Sequence, residues 1–261
     1  MMSAPTHRTG LLAGRRGLIL GLANEHSIAW GCARAAHRQG ASLFLSCVND
    51  KARPWAEPLA SSIPAPLQAC DVAQAGELEQ LVERAAAHLG GIDFVVHSIA
   101  WAPRDDLHGP VVDSSSEGFS QAMAVSCHSF ARLAHLCAPH MPEGGSLVTM
   151  SYLGAEEAVP HYGLMGPVKA ALESLVRYLA MELGDRGLRV HAVSPGPIPT
   201  RAASGIAHFD SLLQRARDKA PLRRLVTLDE IANLSAFLCS DASSGMTGQT
   251  IFVDAGCHAV A

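Results

Sequence analysis

Residues 17–31 read GLILGLANEHSIAWG and join a short apolar run to a helical pattern. The run GLILGL, residues 17–22, predicts a buried β-strand, and residues 27–39 predict a helix that ends at Gly40. A glycine at a strand end lets the backbone approach a phosphate, and the N–H groups at the start of the next helix attract anions. Because the spacing G-x-G-x-x-G is absent, these residues by themselves fit a nucleotide-binding turn and an ordinary strand–helix connection equally well.

The alternation of strand and helix continues through most of the chain. Six further apolar runs predict strands, at residues 42–48, 66–72, 94–100, 145–153, 188–196 and 249–256. Between them, helical patterns cover 76–89, 117–138, 163–183 and 228–240, whereas the prolines within 54–66 predict an irregular segment. Strands that are apolar throughout are covered on both faces of their sheet. We therefore predict one α/β domain over residues 1–261, a Rossmann-type doubly wound fold with a seven-stranded parallel sheet.

The composition argues against several classes of protein. The chain of 261 residues carries a net charge of −4 and 48% hydrophobic residues, so we expect neither nucleic-acid binding nor disorder. No apolar run reaches the ~18–20 residues of a membrane helix, so no membrane span is expected. The seven cysteines form no C-x-x-C pair and indicate reduced thiols in the cytoplasm. The thirteen histidines show no metal-ligand spacing, so no metal is expected.

Ligands of doubly wound sheets bind beyond the carboxyl ends of the strands, and these ends therefore decide the cofactor. The second strand ends in CVND, residues 47–50, and offers no cation at its end to a ribose 2′-phosphate, although Lys51 and Arg53 follow. This pattern favours NADH over NADPH. Asp71, at the third strand end, can either accept a hydrogen bond from adenine or cap the next helix. Small residues at 98–100 leave room for a nicotinamide ribose.

Two of the three tyrosines, Tyr152 and Tyr162, flank the end of the fifth strand, and Lys169 follows seven residues after the second. If the helix begins near Tyr162, this tyrosine and Lys169 share one helix face, two turns apart. A nearby ammonium lowers the pKa of a phenol and makes it a better donor to a developing oxyanion. The alternative is a loop with two packed aromatic rings and a solvated lysine.

With these motifs in hand, the chain resembles the short-chain dehydrogenases/reductases, and within them the divergent bacterial enoyl-acyl-carrier-protein reductases. The resemblance extends from about Gly14 to Gly256 and rests on GLANEHSIAWG, CDV, FVVHSIAWAP, SYLGAEEAVPHYGLMGPVKA, VSPGPIPTRAASGI, PLRR, FLCSD and FVDAG. Most members of the larger family place the tyrosine and lysine four residues apart. The wider spacing Y-x6-K, with a second tyrosine ten residues upstream, is specific to the divergent branch.

The resemblance implies a role for each matching position. Tyr162 is implied as the catalytic tyrosine, Tyr152 as a second active-site tyrosine, and Lys169 as a contact to the nicotinamide ribose. The implied cofactor-binding residues are Gly21, Ala23, Ser27, Ile28, Val48, Asp71, Val72, Ser98, Ile99, Ala100, Lys169, Ile198, Thr200 and Ala202. The implied substrate-binding residues are Ala102, Tyr152, Tyr162, Met165, Ala203 and Ile206, the last two within a substrate-binding segment at about 198–220.

The implied activity is reduction of the carbon–carbon double bond of a trans-2-enoyl thioester by NADH, the last reductive step of fatty-acid elongation. The resemblance further implies a substrate on acyl carrier protein and a cytoplasmic homotetramer that packs through the helices at 117–138 and 163–183. Two alternatives stay open at this point. One is a related short-chain reductase with another enoyl or keto substrate, and the other is a cofactor-binding regulator without catalysis.

Several positions depart from the family pattern. His161 and Gly163 stand where asparagines are common, Pro167 replaces an aliphatic residue, and Ala100 replaces a glycine. Pro199 and Arg201 flank Thr200 where arginine and leucine are common. The basic residues that receive the acidic carrier protein are absent at 207–211, and the next cations are Arg215, Arg217 and Lys219 on a possible amphipathic helix.

Overall fold

The computed structural model describes residues 10–200 and 209–260. Seven parallel strands form one sheet in the order β3-β2-β1-β4-β5-β6-β7, which confirms the predicted fold. The strands are β1 (Arg16–Leu20), β2 (Ser42–Cys47), β3 (Leu67–Ala69), β4 (Phe94–His97), β5 (Gly145–Met150), β6 (Leu188–Pro195) and β7 (Gln249–Val253). Each is shorter at its carboxyl end than the apolar run predicts, because the chain leaves the sheet there to form loops.

Helices cover both faces of this sheet. Within the described residues they are α1 (Ile28–Arg38), α2 (Arg53–Ser62), α3 (Glu77–Leu89), α4 (Arg104–His108), α5 (Ser116–Met123), α6 (Ser129–Cys137), α7 (Met165–Leu183), α8 (Phe209–Lys219) and α9 (Leu228–Cys239). One hydrophobic core joins α1 and α9 to one face of the sheet. A second core joins α3, α6 and α7 to the other face. None of the helices in the described ranges is long and apolar enough to cross a membrane.

The prediction of an irregular segment over 54–66 is wrong, because α2 begins at Arg53 and ends at Ser62. Pro54 lies in the first turn, where a backbone N–H has no acceptor within the helix, so proline is tolerated there. Pro58 lies inside the helix and removes one hydrogen bond. The two apolar contacts that hold the helix, at Ala56 and Ala60, are fully buried and outweigh this loss.

The single helix predicted over 117–138 is interrupted by a π-helical turn at Ala124–His128, between α5 and α6. Two serine hydroxyls occupy this turn. Ser129 Oγ donates to the Val125 carbonyl at 2.6 Å, and Ser126 Oγ contacts the backbone N–H and C=O of Trp101, each at 2.8 Å. A serine hydroxyl that bonds to the carbonyl four residues earlier slightly weakens and bends a helix. The turn fastens the loop after β4 to the helical layer.

Candidate active site

The carboxyl ends of β1, β4 and β5 lie side by side and form the centre of the predicted cofactor site. Gly21, directly after β1, has φ +98°, and a Cβ there would come within 2.2 Å of the Ser98 carbonyl oxygen. Only glycine allows this close approach of two strand exits. Gly21 and Ser98, two of the predicted cofactor-binding residues, therefore lie side by side.

The N-terminus of α1 is open toward an anion. Ser27 precedes the helix, but its side chain forms no cap, and the first turn carries no acidic residue. Instead, Ser27 Oγ donates to the Asn24 carbonyl at 2.7 Å and holds the loop that contains Ala23. The first N–H groups of α1, beginning at Ile28, are thus left for a ligand, and they fit the pyrophosphate of a dinucleotide.

The adenosine side of the site is formed by the exits of β2 and β3. Val48 is exposed, and Arg53 is engaged by Asp50 at 3.1 Å and by Glu57 at 3.0 Å. The Asp71 carboxylate accepts from the Ala73 N–H at 3.0 Å, whereas α3 begins only at Glu77, after Gly76. Asp71 therefore closes its own turn and does not cap the helix. Val72 is half-buried beside it.

His97, the last residue of β4, links this strand to β5 and to α6 through its two ring nitrogens. Its Nδ1 lies 3.0 Å from Thr149 Oγ1 on β5, and its Nε2 lies 2.8 Å from Ser129 Oγ on α6. Burial and the charge of Lys169 lower the pKa of His97 to about 3, so the ring is neutral. Ser98 and Ile99, which follow, are half-buried, and Ala100 is exposed at the predicted cofactor surface.

The two tyrosines pack against each other, with ring centroids 4.7 Å apart and an interplanar angle of 56°. Tyr162 is 7% exposed and Tyr152 is half-buried. A Cβ on Gly154 would lie 2.4 Å from Tyr162 Cδ1, so the ring pair requires glycine at this position. Burial raises the pKa of both phenols, and the two rings therefore keep their protons.

Lys169 is 3% exposed, and its ammonium donates to the Met150 carbonyl at 2.7 Å. Burial lowers the pKa of Lys169 to about 8, although Cys127 and Glu173 oppose that change. We expected Lys169 to lower the pKa of Tyr162, but burial dominates and raises it. Its bond to Met150 places Lys169 beneath the end of β5.

The expectation that Tyr162 and Lys169 share a helix face is wrong, because α7 begins only at Met165. His161 and Gly163 have φ +65° and +52°, so the chain turns sharply on both sides of Tyr162 before the helix starts. Glycine and asparagine are the residues that most readily adopt this conformation, which explains the family pattern at both positions. Pro167 lies in the first turn of α7, where its missing N–H costs nothing.

These three departures from the family pattern border the same space. His161, Gly163 and Pro167 line a cavity of about 690 Å³ beside Tyr162, together with residues 107–111 and 154–159. A second cavity, of about 370 Å³, opens at the amino ends of β5 and β6, away from these residues. Within 10–200 and 209–260, no group of three metal-ligating side chains is found.

The predicted substrate side is described in part. Ala102 and Met165 are buried, as are the Tyr162 ring and Ile198 of the cofactor surface. The Thr200 N–H donates to the Ile198 carbonyl at 2.8 Å, and this bond tightens the chain after β6. Ala202, Ala203 and Ile206 lie outside the described residues, as does Arg201.

Ser151 and Glu173, near the tyrosine pair, were missed by the sequence reasoning, and the influence of Arg215 on Tyr152 was not expected. Ser151 Oγ donates to Glu173 Oε1, a buried carboxylate one helical turn after Lys169. A glutamate on the buried stripe of a predicted helix is a signal for such a role, since carboxylates are rarely buried without a partner. Arg215, on α8, acts electrostatically on Tyr152 and lowers its pKa slightly against the effect of burial.

Comparison with known proteins gives a consistent result. The model of the family described as enoyl-(acyl carrier protein) reductase matches residues 21–258. Enoyl-[acyl-carrier-protein] reductase [NADH] 1 of Rhizobium meliloti (strain 1021) is 44% identical over 253 residues, which cover 97% of this chain and 93% of the relative. Enoyl-[acyl-carrier-protein] reductase [NADH] FabI of Escherichia coli (strain K12) is 42% identical over 249 residues, 95% of either chain. The solved enoyl-acyl-carrier-protein reductase of Anaplasma phagocytophilum in complex with NAD superposes with a TM-score of 0.92, at 42% identity over 97% of both chains.

Proposed function

The chain belongs to the enoyl-(acyl carrier protein) reductase family, and on this premise we propose that Tyr162, Lys169 and Tyr152 carry the NADH-dependent reduction of a trans-2-enoyl thioester. The enzyme is an oxidoreductase of fatty-acid synthesis that acts on a carbon–carbon double bond. The assignment of residues rests on two observations at the end of β5: the Tyr152 and Tyr162 rings pack 4.7 Å apart, and the buried Lys169 ammonium donates to Met150, the last residue of that strand.

Bound NADH supplies the hydride that adds to the β-carbon of the enoyl group. As this bond forms, negative charge moves to the thioester oxygen as an enolate, and a proton from solvent then adds to the α-carbon to complete the reduction. The Tyr162 phenol retains its proton in its buried site and donates a hydrogen bond to that oxygen, which stabilises the charge. Tyr152 packs against the Tyr162 ring and limits the orientations available to it.

Lys169 holds the ribose of the cofactor in this proposal. Its ammonium donates one hydrogen bond to Met150, and two further protons are available to ribose hydroxyls. The other predicted cofactor residues surround the same sheet edge from Gly21 to Thr200. NADH is the cofactor, and the engagement of Arg53 by two carboxylates supports the discrimination against a 2′-phosphate.

The acidic acyl carrier protein approaches α8 in this proposal. Arg215 and Arg217 are exposed on this helix, whereas Lys219 lies 3.6 Å from Glu157. These cations replace those that the family places at 207–211. An exposed basic helix steers an acidic partner toward the site. The segment 198–220 that contains α8 serves as the substrate-binding segment.

The active form is a homotetramer in this proposal. Tyr178 and Met181 are 60% and 71% exposed on α7, on the side away from Lys169 and Glu173. Large apolar side chains at this exposure favour burial against a second copy. The seven buried free thiols favour the reducing cytoplasm. Light scattering coupled to size-exclusion chromatography tests the assembly, and a monomeric mass contradicts it.

Steady-state assays of cofactor oxidation test the proposed function. We expect turnover with NADH and with crotonyl and octenoyl thioesters of acyl carrier protein, and much slower turnover with NADPH. The same assays are run with the coenzyme A thioesters of these acyl groups and with a ketoacyl thioester, as alternative substrates. Activity confined to coenzyme A contradicts the carrier-protein assignment, and reduction of the ketoacyl substrate alone assigns the enzyme to carbonyl chemistry instead.

A further inference from the structure

Glu173 is a buried carboxylate that the proposed reaction does not use. It is 6% exposed on α7, and burial raises its pKa. Ser151 Oγ donates to its Oε1, and the hydroxyl groups of Ser151 and of Thr250 on β7 oppose the rise in its pKa. Burying a carboxylate is costly unless it is hydrogen-bonded, so its retention here indicates a specific task.

The partners of α7 at the end of β5 are consecutive residues. Lys169 and Glu173 lie four residues apart and therefore one above the other on the helix. Lys169 donates to the carbonyl of Met150, and Glu173 accepts from the hydroxyl of Ser151. The next residue is Tyr152, whose ring packs on Tyr162. Two neighbouring side chains of one helix thus hold two neighbouring residues of the strand exit.

We propose that Glu173 is a positioning residue that fixes the exit of β5 through its hydrogen bond with Ser151. The fixed exit keeps the Met150 carbonyl in place to accept from Lys169, and it keeps the Tyr152 ring packed against the Tyr162 ring. The inference rests on the proposed function. Without the Glu173–Ser151 contact the Ser151 side chain has lost its partner on α7, and this residue is then held by the bond from its backbone N–H to the Val193 carbonyl, at 2.7 Å. A strand exit that is free to shift moves the Met150 carbonyl relative to the Lys169 ammonium and moves Tyr152 relative to the Tyr162 ring.

Four variants test this inference, each with kcat and with the Kd for NADH measured by titration calorimetry. Glu173→Ala and Ser151→Ala each lower kcat by about 10- to 100-fold, the size of effect that small misplacements cause, and raise the Kd for NADH. The double variant is no worse than Glu173→Ala, because both single changes break the same contact. Glu173→Gln, which can still accept from Ser151, restores most of kcat. Circular dichroism confirms that each variant is folded.

Glu182→Ala is the matched control, since Glu182 is exposed on the same helix. It leaves kcat and the Kd for NADH at the wild-type values. The inference is overturned if the losses of kcat in Ser151→Ala and Glu173→Ala multiply in the double variant, because independent effects would multiply. A folded Glu173→Ala enzyme with wild-type kcat and Kd also overturns it, as does a Glu173→Gln enzyme as impaired as Glu173→Ala. If Glu173→Ala does not fold, Ser151→Ala, which removes one hydroxyl, decides.

The two proposals fail in different ways. A wild-type chain that binds NADH but reduces no enoyl thioester contradicts the proposed function. The NADH dissociation constants of the variants still test the role of Glu173 in that case. The reason is that the strand exit held by Glu173 also carries the Met150 carbonyl, which orients Lys169 in the proposed cofactor site. A wild-type chain that is active, with variants that equal it in kcat and Kd, contradicts the inference about Glu173 alone.

Discussion

At the scale of single residues, burial governs the chemistry of the site. Tyr162 and Lys169 are both almost fully buried, and desolvation favours the neutral form of each. The Tyr162 phenol therefore keeps its proton and can donate it in a hydrogen bond. The pKa of Lys169 falls to about 8, which is still above neutral pH, so the ammonium persists. The residue pair thus combines a neutral donor with a cation.

Replacement of Tyr162 by phenylalanine tests the role of the hydroxyl. We expect Tyr162→Phe to lower kcat by about 100- to 1,000-fold, since removal of one donor to an oxyanion has this effect. The Kd for NADH changes little, because the ring stays in place. Tyr178→Phe is the control and keeps full activity, because it removes a hydroxyl on the side of α7 away from Lys169 and retains the ring. Comparable turnover of the two variants contradicts the assignment.

Gly154 makes the ring pair possible, and a methyl group there tests its importance. Gly154→Ala places a Cβ 2.4 Å from Tyr162 Cδ1 and 3.3 Å from Tyr152 Cδ1. We expect a loss of about 1–3 kcal/mol in the free energy of unfolding and reduced kcat, because the rings must separate. Gly245→Ala is the control, since nothing lies within 4 Å of its added Cβ. Urea denaturation measures both, and equal stability of the two variants argues against a tight ring pair.

At the scale of elements, α7 serves two surfaces. Its buried side carries Lys169 and Glu173 under the end of β5, and its outer side exposes Tyr178 and Met181. The π-helical turn between α5 and α6 similarly combines packing with a contact to Trp101. The first helix begins only at Met165, after Tyr162, and the second is interrupted at the π-helical turn. In each case a polar side chain contacts a strand exit: Lys169 bonds to Met150 at the end of β5, and Ser126 bonds to Trp101 after β4.

The interior proline of α2 predicts a gain in stability on replacement. Pro58 is exposed, lacks the N–H that would bond to the Pro54 carbonyl, and strains the helix. We expect Pro58→Ala to raise the free energy of unfolding by about 1–2 kcal/mol, part of the ~3 kcal/mol difference in helix propensity. Pro54→Ala, in the first turn, brings no gain. Thermal denaturation compares the two, and an unchanged Tm for Pro58→Ala contradicts the account of α2.

At the scale of the whole molecule, the sheet order decides where the site is. β1, β4 and β5 are neighbours although other elements separate them in the chain, so the Gly21 turn, the exit of His97 and the Tyr152 loop meet at one edge. The sheet also buries polar groups at its centre. His97 and His191 are fully buried on β4 and β6, and desolvation lowers the pKa of His97 to about 3 and of His191 to about 4.

These two histidines make the stability of the protein depend on pH. Between about pH 6.5 and pH 4 the unfolded chain protonates both, whereas the folded protein keeps them neutral. Their contribution is therefore complete above pH 6.5 and is lost as the pH falls, by about 1.4 kcal/mol per pH unit for each histidine. Urea denaturation from pH 7 to pH 4.5 measures this slope. His97→Asn removes about half of this slope, whereas His135→Gln, at an exposed position, leaves the slope unchanged. The prediction is contradicted if His97→Asn has the same slope as the wild-type protein.

Much of the fold follows from local pattern. The apolar runs predicted all seven strands, since burial on both faces makes a strand apolar throughout, and the helical periods predicted most of the helices. The proline rule failed at α2 because tertiary burial of Ala56 and Ala60 outweighs one lost hydrogen bond. The break between α5 and α6 depends on Trp101, which is distant in sequence and invisible to a periodic pattern.

By itself, the sequence predicted the seven strands and the type of sheet correctly, and it singled out Tyr152, Tyr162 and Lys169 as candidate site residues. Only the tertiary structure decided how these side chains meet. The left-handed turns at His161 and Gly163 detach Tyr162 from α7, and the buried contact of Glu173 with Ser151 joins that helix to β5. The reason is physical: periodicity reports which residues are buried, whereas ring packing, desolvation and hydrogen-bond partners depend on groups brought together from distant parts of the chain.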